Sequence, residues 1–296
     1  MTSQVLQPAF SPLRQLSACW SEARPVVQIV FQLRFWAAVA LTAPQAFTAR
    51  PASVLLGGTA WLCATWYVYL INGISDQVED RANGSVRPLA SGRLPVRVAH
   101  RYATSLAMTA LLLALAVSVR LAVLTAIMLA LGWVYSAGPH PQKRSLLGFA
   151  VVVTMGGVVT YLAGCAAAGG VVSPELLVLM LSMSLWMALA GCTKDLGDAA
   201  GDRAAGRRTL PVLLGDVRAR RLTAASVLLA GAGTVTATAL AAPALLGPAL
   251  LLGCGALAVA FLTLAGAGAR ERSRQRRPYR YFMGSQYVVH LSIVAF

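Results

Sequence analysis

The stretch SVLLGGTAWLCATWYVYLINGISDQVEDRANGSVRPLASGR, residues 53–93, decides the fold. Residues 53–72 carry no charge, and a helix of about 20 apolar residues crosses roughly 30 Å of hydrocarbon. The run ends in an acidic cluster, with Asp76 and Asp80 four apart and Glu79 beside them. The pattern returns later: the apolar segment 174–193 leads into KDLGDAAGDRAAGRRTLP from Lys194, with Asp198 and Asp202 four apart and Asp195 one turn earlier. Six of the ten acidic residues fall in these two clusters. Residues at i and i+4 share one helix face, so each pair points two carboxylates at one volume. Unneutralised, such a pair repels itself, more strongly where the dielectric is low. A cation between them is expected, and a divalent metal is the simplest one.

The rest of the chain is membrane-like. Hydrophobic residues make up 57% and charged ones 12%, with a mean hydropathy of +0.67, too apolar for a water-soluble domain of this length. Apolar windows predict nine transmembrane helices near 26–47, 53–72, 100–119, 120–136, 146–169, 174–193, 220–241, 243–267 and 279–296. The basic residues support this count. With the N-terminus inside, 22 of the 25 Lys and Arg fall in inner segments, Arg50 and Arg120 lie outside, and Arg34 sits within the first span. That asymmetry orients the chain with both acidic clusters on the cytoplasmic face and the C-terminus outside.

The same distribution argues against nucleic-acid binding. The net charge of +15 is spread over inner loops facing anionic lipid, not along one soluble face with interleaved aromatics. The run ARERSRQRRPYR from Ala269 reads as one such loop. The five cysteines and three histidines show no metal-ligand spacing, so a zinc site is not expected. Residues 1–25 read as a cytoplasmic tail along the inner surface, and 26–296 as one transmembrane domain. Within it, the two acidic clusters and the Gly-containing basic stretches after them mark two pseudo-repeated halves, about 26–136 and 146–296. Such duplication places a binding site between the halves.

Asn72, Asp76 and Asp80, followed by Arg87, Pro88, Ser91 and Gly92, resemble the N-x-x-x-D-x-x-x-D…RP-x-x-SG signature of the UbiA-type intramembrane prenyltransferases. Asp195, Asp198 and Asp202 are similar to that family's second motif, D-x-x-D-x-x-x-D. The segment YSAGPHPQK, Tyr135–Lys143, resembles the middle loop of its quinone- and chlorophyll-type branches. Many members carry Asn-Asp where this chain has Asn72-Gly73. Because position 73 lies off the stripe of 72, 76 and 80, metal binding is expected to survive.

The resemblance implies an all-α polytopic fold, about nine helices bundled around a central cavity. It also implies transfer of a prenyl group from an allylic diphosphate to a small aromatic acceptor; the high usage of Ala, Gly and Arg points to a bacterial inner membrane. Asn72, Asp76, Asp80, Asp198 and Asp202 are the expected metal ligands for two Mg²⁺ ions, with Mn²⁺ as a substitute. Arg87, Lys143, Lys194 and Arg208 are the expected diphosphate contacts. Asp195 is expected to orient or deprotonate the acceptor, and Tyr135 and Ser136 to line the pocket by the reacting carbon. A diphosphate held between acid-bound Mg²⁺ ions ionises there, and a dry chamber keeps the cation from water. The alternatives are a terpene cyclase on the same scaffold, transfer to a non-aromatic acceptor, and, more distantly, a cation-binding transporter.

Overall fold

A computed structural model describes residues 11–269 and 271–295. In chain order the helices are α1 (Pro12–Glu22), α2 (Pro25–Thr42), α3 (Ala46–Ala49), α4 (Pro51–Ser75) and α5 (Gln77–Ala82). Next come α6 (Val96–Val117), α7 (Val119–Ser136), α8 (Leu146–Ala168), α9 (Pro174–Ala190), α10 (Ala199–Ala204) and α11 (Leu210–Leu214). The last four are α12 (Asp216–Ala241), α13 (Leu246–Ala265), α14 (Arg272–Gln275) and α15 (Arg277–Val294). The starts are written locally. Pro25, Pro51 and Pro174 stand in the first helical turn, where a missing N–H costs nothing. The hydroxyls of Ser118, Ser145 and Ser173 accept from the main-chain N–H of Leu121, Gly148 and Leu176, capping α7, α8 and α9.

Among the described residues, eight helical segments are long and apolar enough to span a membrane. The expected ninth span, 279–296, is the helix α15, but it falls outside those eight. Its inward face carries Gln286 and His290, both buried, and these polar residues spend its apolarity inside the protein. The segment packs on α2 and α13 like its neighbours.

The long helices close into a ring. α2 packs on α4, α4 on α7, α7 on α8, α8 on α9, α9 on α12, α12 on α13, α13 on α15, and α15 back on α2, while α6 lies along α4. With lipid tails as apolar as leucine, close contact between small residues holds such a ring together. The seam of Ala37 and Ala38 beside Tyr161 and Cys165 is of this kind.

Residues 12–22, expected to lie along the inner surface, are helical. They form α1, which packs on α4 and α6, with the Trp20 and Trp66 rings 5.0 Å apart and the Trp66 indole N–H donating to the Cys19 carbonyl at 3.1 Å. Residues 1–10 of that expectation lie outside the described residues.

Candidate functional site

Both acidic motifs are helix breaks. α4 stops at Ser75, Asp76 takes a non-helical conformation, and the six-residue α5 follows. The 3₁₀ turn over residues 191–197 stops at Gly197, Asp198 does the same, and the six-residue α10 follows. The i, i+4 relation survives in each short helix, since the Asp80 N–H donates to the Asp76 carbonyl at 2.8 Å and Asp202 to Asp198 at 2.9 Å. Each helix ends at a glycine with positive φ, Gly84 at 63° and Gly206 at 70°, a conformation glycine adopts without strain. The chain then turns back, so that Ser85 N–H reaches the Asp80 carbonyl and Arg207 N–H the Asp202 carbonyl, each at 2.8 Å. α5 and α10 contact one another, which brings the two motifs together.

Arg207 joins the two walls. Its guanidinium contacts Asp76 at 3.1 Å, Glu79, and Asp202 at 3.8 Å. Lys143, buried, also binds Asp76 and donates to the Ser75 hydroxyl at 2.9 Å. Burial alone would raise the Asp76 carboxyl, but Lys143 and Arg207 outweigh it and hold Asp76 below the usual carboxylate range. At Asp202 burial wins, with Arg207 offsetting it only in part, and the carboxyl titrates above its ordinary value. Glu79, given no part by its spacing, is raised by burial and by the Asp76 charge.

The outer acids have their own cations. Asp80 accepts from Arg87 at 2.6 Å, and Asp198 accepts from Arg272 at 2.7 Å and Arg276 at 2.8 Å. Arg272 also donates to the Asn83 carbonyl at the end of α5, tying the last polar loop to both motifs. The run from Ala269 is therefore part of the site, not only a basic loop.

A fully buried Glu22, at the end of α1, supports Arg87. Its carboxylate pairs with the Arg87 guanidinium and accepts from the Leu89 N–H at 2.9 Å. It also explains Gly73: a Cβ at that position would collide with the Glu22 carboxylate and meet Arg87 Nη2 at 3.0 Å. A carboxylate from α1 thus fills the space beside residue 73.

The expected pocket residues meet close by. Asn72 donates to the buried Ser136 hydroxyl at 3.4 Å, and Lys194 donates to the Tyr135 hydroxyl at 3.4 Å while lying 4.2 Å from the Phe149 ring centre. A small cleft of about 10 Å³, room for roughly one water molecule, opens beside them, lined by Lys143, Phe149, Lys194, Asp195, Arg207 and Arg208. Five cation-bearing or acid side chains therefore converge there, four of them positive. Arg208, chosen from sequence, is exposed at this rim, and its backbone N–H bonds the Arg144 carbonyl at 2.8 Å. Its neighbour Arg207 reaches the acids instead, because the turn at Gly206 returns residue 207 toward α10. That glycine was the available signal. Glu22, Arg272 and Arg276 carried none, since their reach is set by packing over long sequence separations.

Among the described residues no group of three Asp, Glu, His or Cys side chains is gathered closely enough to hold a metal unaided. A hard divalent cation does not require one: Mg²⁺ typically takes one or two carboxylates, with phosphate oxygens and water completing its shell. The oxygen donors on the two walls fit that demand. The buried Nε atoms of Arg87 and Arg207 have no hydrogen-bond partner, donors suited to an anionic ligand.

A bundle of membrane-length helices with two opposed, acid-bearing helix breaks at one end defines an integral membrane protein with a single polar site at the end of the bundle. The chain belongs to the UbiA prenyltransferase family, whose model matches residues 33–286, and it is a prenyltransferase. It is 34% identical over 217 residues to the digeranylgeranylglyceryl phosphate synthase of Halobacterium salinarum, covering 71% of this chain and 76% of that one. The synthase of the same name from Haloquadratum walsbyi is 31% identical over 187 residues, 62% of this chain and 63% of that one. The fold is shared with a UbiA homologue of Archaeoglobus fulgidus bound to DMAPP and Mg²⁺, with a TM-score of 0.69 and 20% identity over 92% of this chain and 98% of that one. These relatives are archaeal, and those named for a product make a glyceryl phosphate, so the aromatic acceptor and bacterial membrane expected from the sequence find no support among them.

Proposed function

We propose that this chain transfers a prenyl group from an allylic diphosphate to the hydroxyl of a phosphate-bearing, glycerophosphate-type acceptor within the membrane. The observation that carries the choice of acceptor is the cleft beside the two walls, where Lys143, Lys194, Arg207 and Arg208 face a single acid, Asp195. Lys143 and Arg207 are already paired with Asp76, Glu79 and Asp202, which leaves the positive pair of Lys194 and Arg208 for an acceptor anion. A phosphate monoester matches it. The names of the most similar relatives agree with this reading.

Asn72, Asp76, Asp80, Asp198 and Asp202 are the residues that would hold divalent metal, two Mg²⁺ ions or Mn²⁺ in their place. Bound there, the metal supplies Lewis-acid stabilisation of a diphosphate leaving group. Arg87 and Arg207 turn their free N–H groups to the same diphosphate, and Arg272 and Arg276 cover it from the last loop. The donor's C–O bond breaks with its electron pair leaving on the diphosphate. The acceptor oxygen then bonds to the prenyl carbon, and Asp195 takes the hydroxyl proton. Tyr135 and Ser136 flank the reacting carbon. The halves 26–136 and 146–296 contribute one wall each, and the acidic end of the bundle faces the cytoplasm.

The test presents purified protein with prenyl diphosphate, Mg²⁺ and either a glycerophosphate ether or a hydroxybenzoate, and reads products by mass spectrometry. Expected are a prenylated glycerophosphate and no turnover in excess chelator. A prenylated benzoate alone would move the acceptor to the aromatic class. A hydrocarbon product made without any acceptor would make the protein a cyclase.

A further inference from the structure

The most unusual group in the membrane interior is Arg34. It is nine residues into α2, about 14 Å along the helix from the acidic end, and only 1% exposed. No carboxylate pairs with it among the described residues, and its Nε and Nη1 have no hydrogen-bond partner. Its guanidinium donates to the Gln286 side-chain oxygen on α15 and also interacts with the Tyr161 hydroxyl on α8. Gln286 is nine residues into its own helix, at matching depth. One layer deeper, Tyr161 of α8 and His290 of α15 share a 2.6 Å hydrogen bond, and His290 Nδ1 lies 2.6 Å from the Gln286 carbonyl. That carbonyl can only accept, so Nδ1 carries the proton and Nε2 accepts from the Tyr161 hydroxyl. All four side chains are buried.

Side chains in contact link the acidic walls to this network. Asn72 lies one turn from Tyr69 on α4, the Tyr69 ring lies 6.2 Å from that of Phe31 on α2, and the Arg34 guanidinium sits over Phe31, 5.5 Å from its centre. Phe282 of α15 and Trp186 of α9, 6.1 Å apart, belong to the same region of the core. The contacts run through an aromatic layer and then meet a charge.

We propose that Arg34 and Gln286 form the floor of the chamber that receives the donor's isoprenoid tail, and so limit its length. This rests on the prenyl-transfer reading above. An apolar tail passing the floor would part the bond joining α2 to α15 and would pack against a buried guanidinium that has no carboxylate partner among the described residues. Both are costly where no water enters. A tail that stops at the aromatic layer incurs neither cost. A buried cation without a carboxylate is itself expensive to keep, so removing its charge offsets part of what Arg34→Leu costs by leaving the Gln286 side-chain oxygen without its donor.

The experiment compares two-isoprene and four-isoprene allylic diphosphates, with one acceptor, in the unmodified protein and in Arg34→Leu, Gln286→Leu and Arg34→Lys. The ratio of kcat/KM for the longer over the shorter donor is expected to rise about tenfold in both leucine variants, equivalent to ~1.4 kcal/mol of differential transition-state binding. In Arg34→Lys, which keeps the charge, the ratio stays near that of the unmodified protein. An unchanged ratio in folded leucine variants overturns the proposal. Should neither leucine variant fold, the unmodified protein decides: with Mg²⁺ present, the longer donor is expected to raise Tm no more than the shorter one, and a larger shift overturns the floor. No turnover of either donor by the unmodified protein would instead defeat the prenyl-transfer reading.

Discussion

Asp76→Ala and Asp198→Ala are each expected to lower prenyl transfer about a thousandfold, with the double variant little worse than either, because both walls serve one ionisation step and their losses do not multiply. Independent sites would show the product of the two losses. The stability of the two variants separates them. Asp76 is the partner of the buried Lys143 and of Arg207, with side chains 3% and 11% exposed. Removing it strands buried positive charge, at a cost on the order of 3 kcal/mol. Asp198 is bound by Arg272 and Arg276, which are 39% and 43% exposed. Losing that pairing leaves arginines that water can solvate, and stability changes by about 1 kcal/mol or less. Asp198→Ala is therefore the cleaner probe of chemistry, with Asp76→Asn, which keeps the shape, as its companion. Rates and detergent thermal unfolding of these four variants and the unmodified protein provide the check. Full activity in folded Asp198→Ala would remove the second wall from the mechanism.

The second large effect is expected at Gly73. Gly73→Asp introduces a carboxylate where the Glu22 carboxylate already lies against Arg87. Two buried acids sharing one guanidinium repel each other, and the side chain has no room, so a loss of about 3 kcal/mol in stability follows together with most of the activity. Glu22→Ala alone leaves Arg87 without its buried partner and the Leu89 N–H unsatisfied, with a loss of similar size. Combined, the two changes pass the carboxylate from α1 to α4, and the double variant is expected to be more stable and more active than either single one. Thermal unfolding of the four proteins measures this coupling. A double variant as impaired as the sum of its parts would mean that Glu22 and residue 73 do not share one space.

Much of this protein follows from local rules that a sequence exposes. Uncharged runs of membrane length, the proline and serine starts of their helices, and acids four apart at the ends of two such runs all act over a few residues. The all-helical membrane fold and the two acidic motifs were legible for that reason. Asn72 meets Ser136, Tyr135 meets Lys194 and Asp76 meets Lys143, pairs that the motifs did not specify. Partner choice was not legible, because it depends on which helices become neighbours when the ring closes. Only that closure sets Arg207 rather than Arg208 between the walls, sends Arg272 and Arg276 from the last loop onto Asp198, and buries Glu22 against Gly73. It also turned the least apolar helix, α15, into a full member of the ring. Gln286 faces Arg34 there, so a residue that hydropathy counts against a membrane span becomes the hydrogen-bond partner of a buried charge.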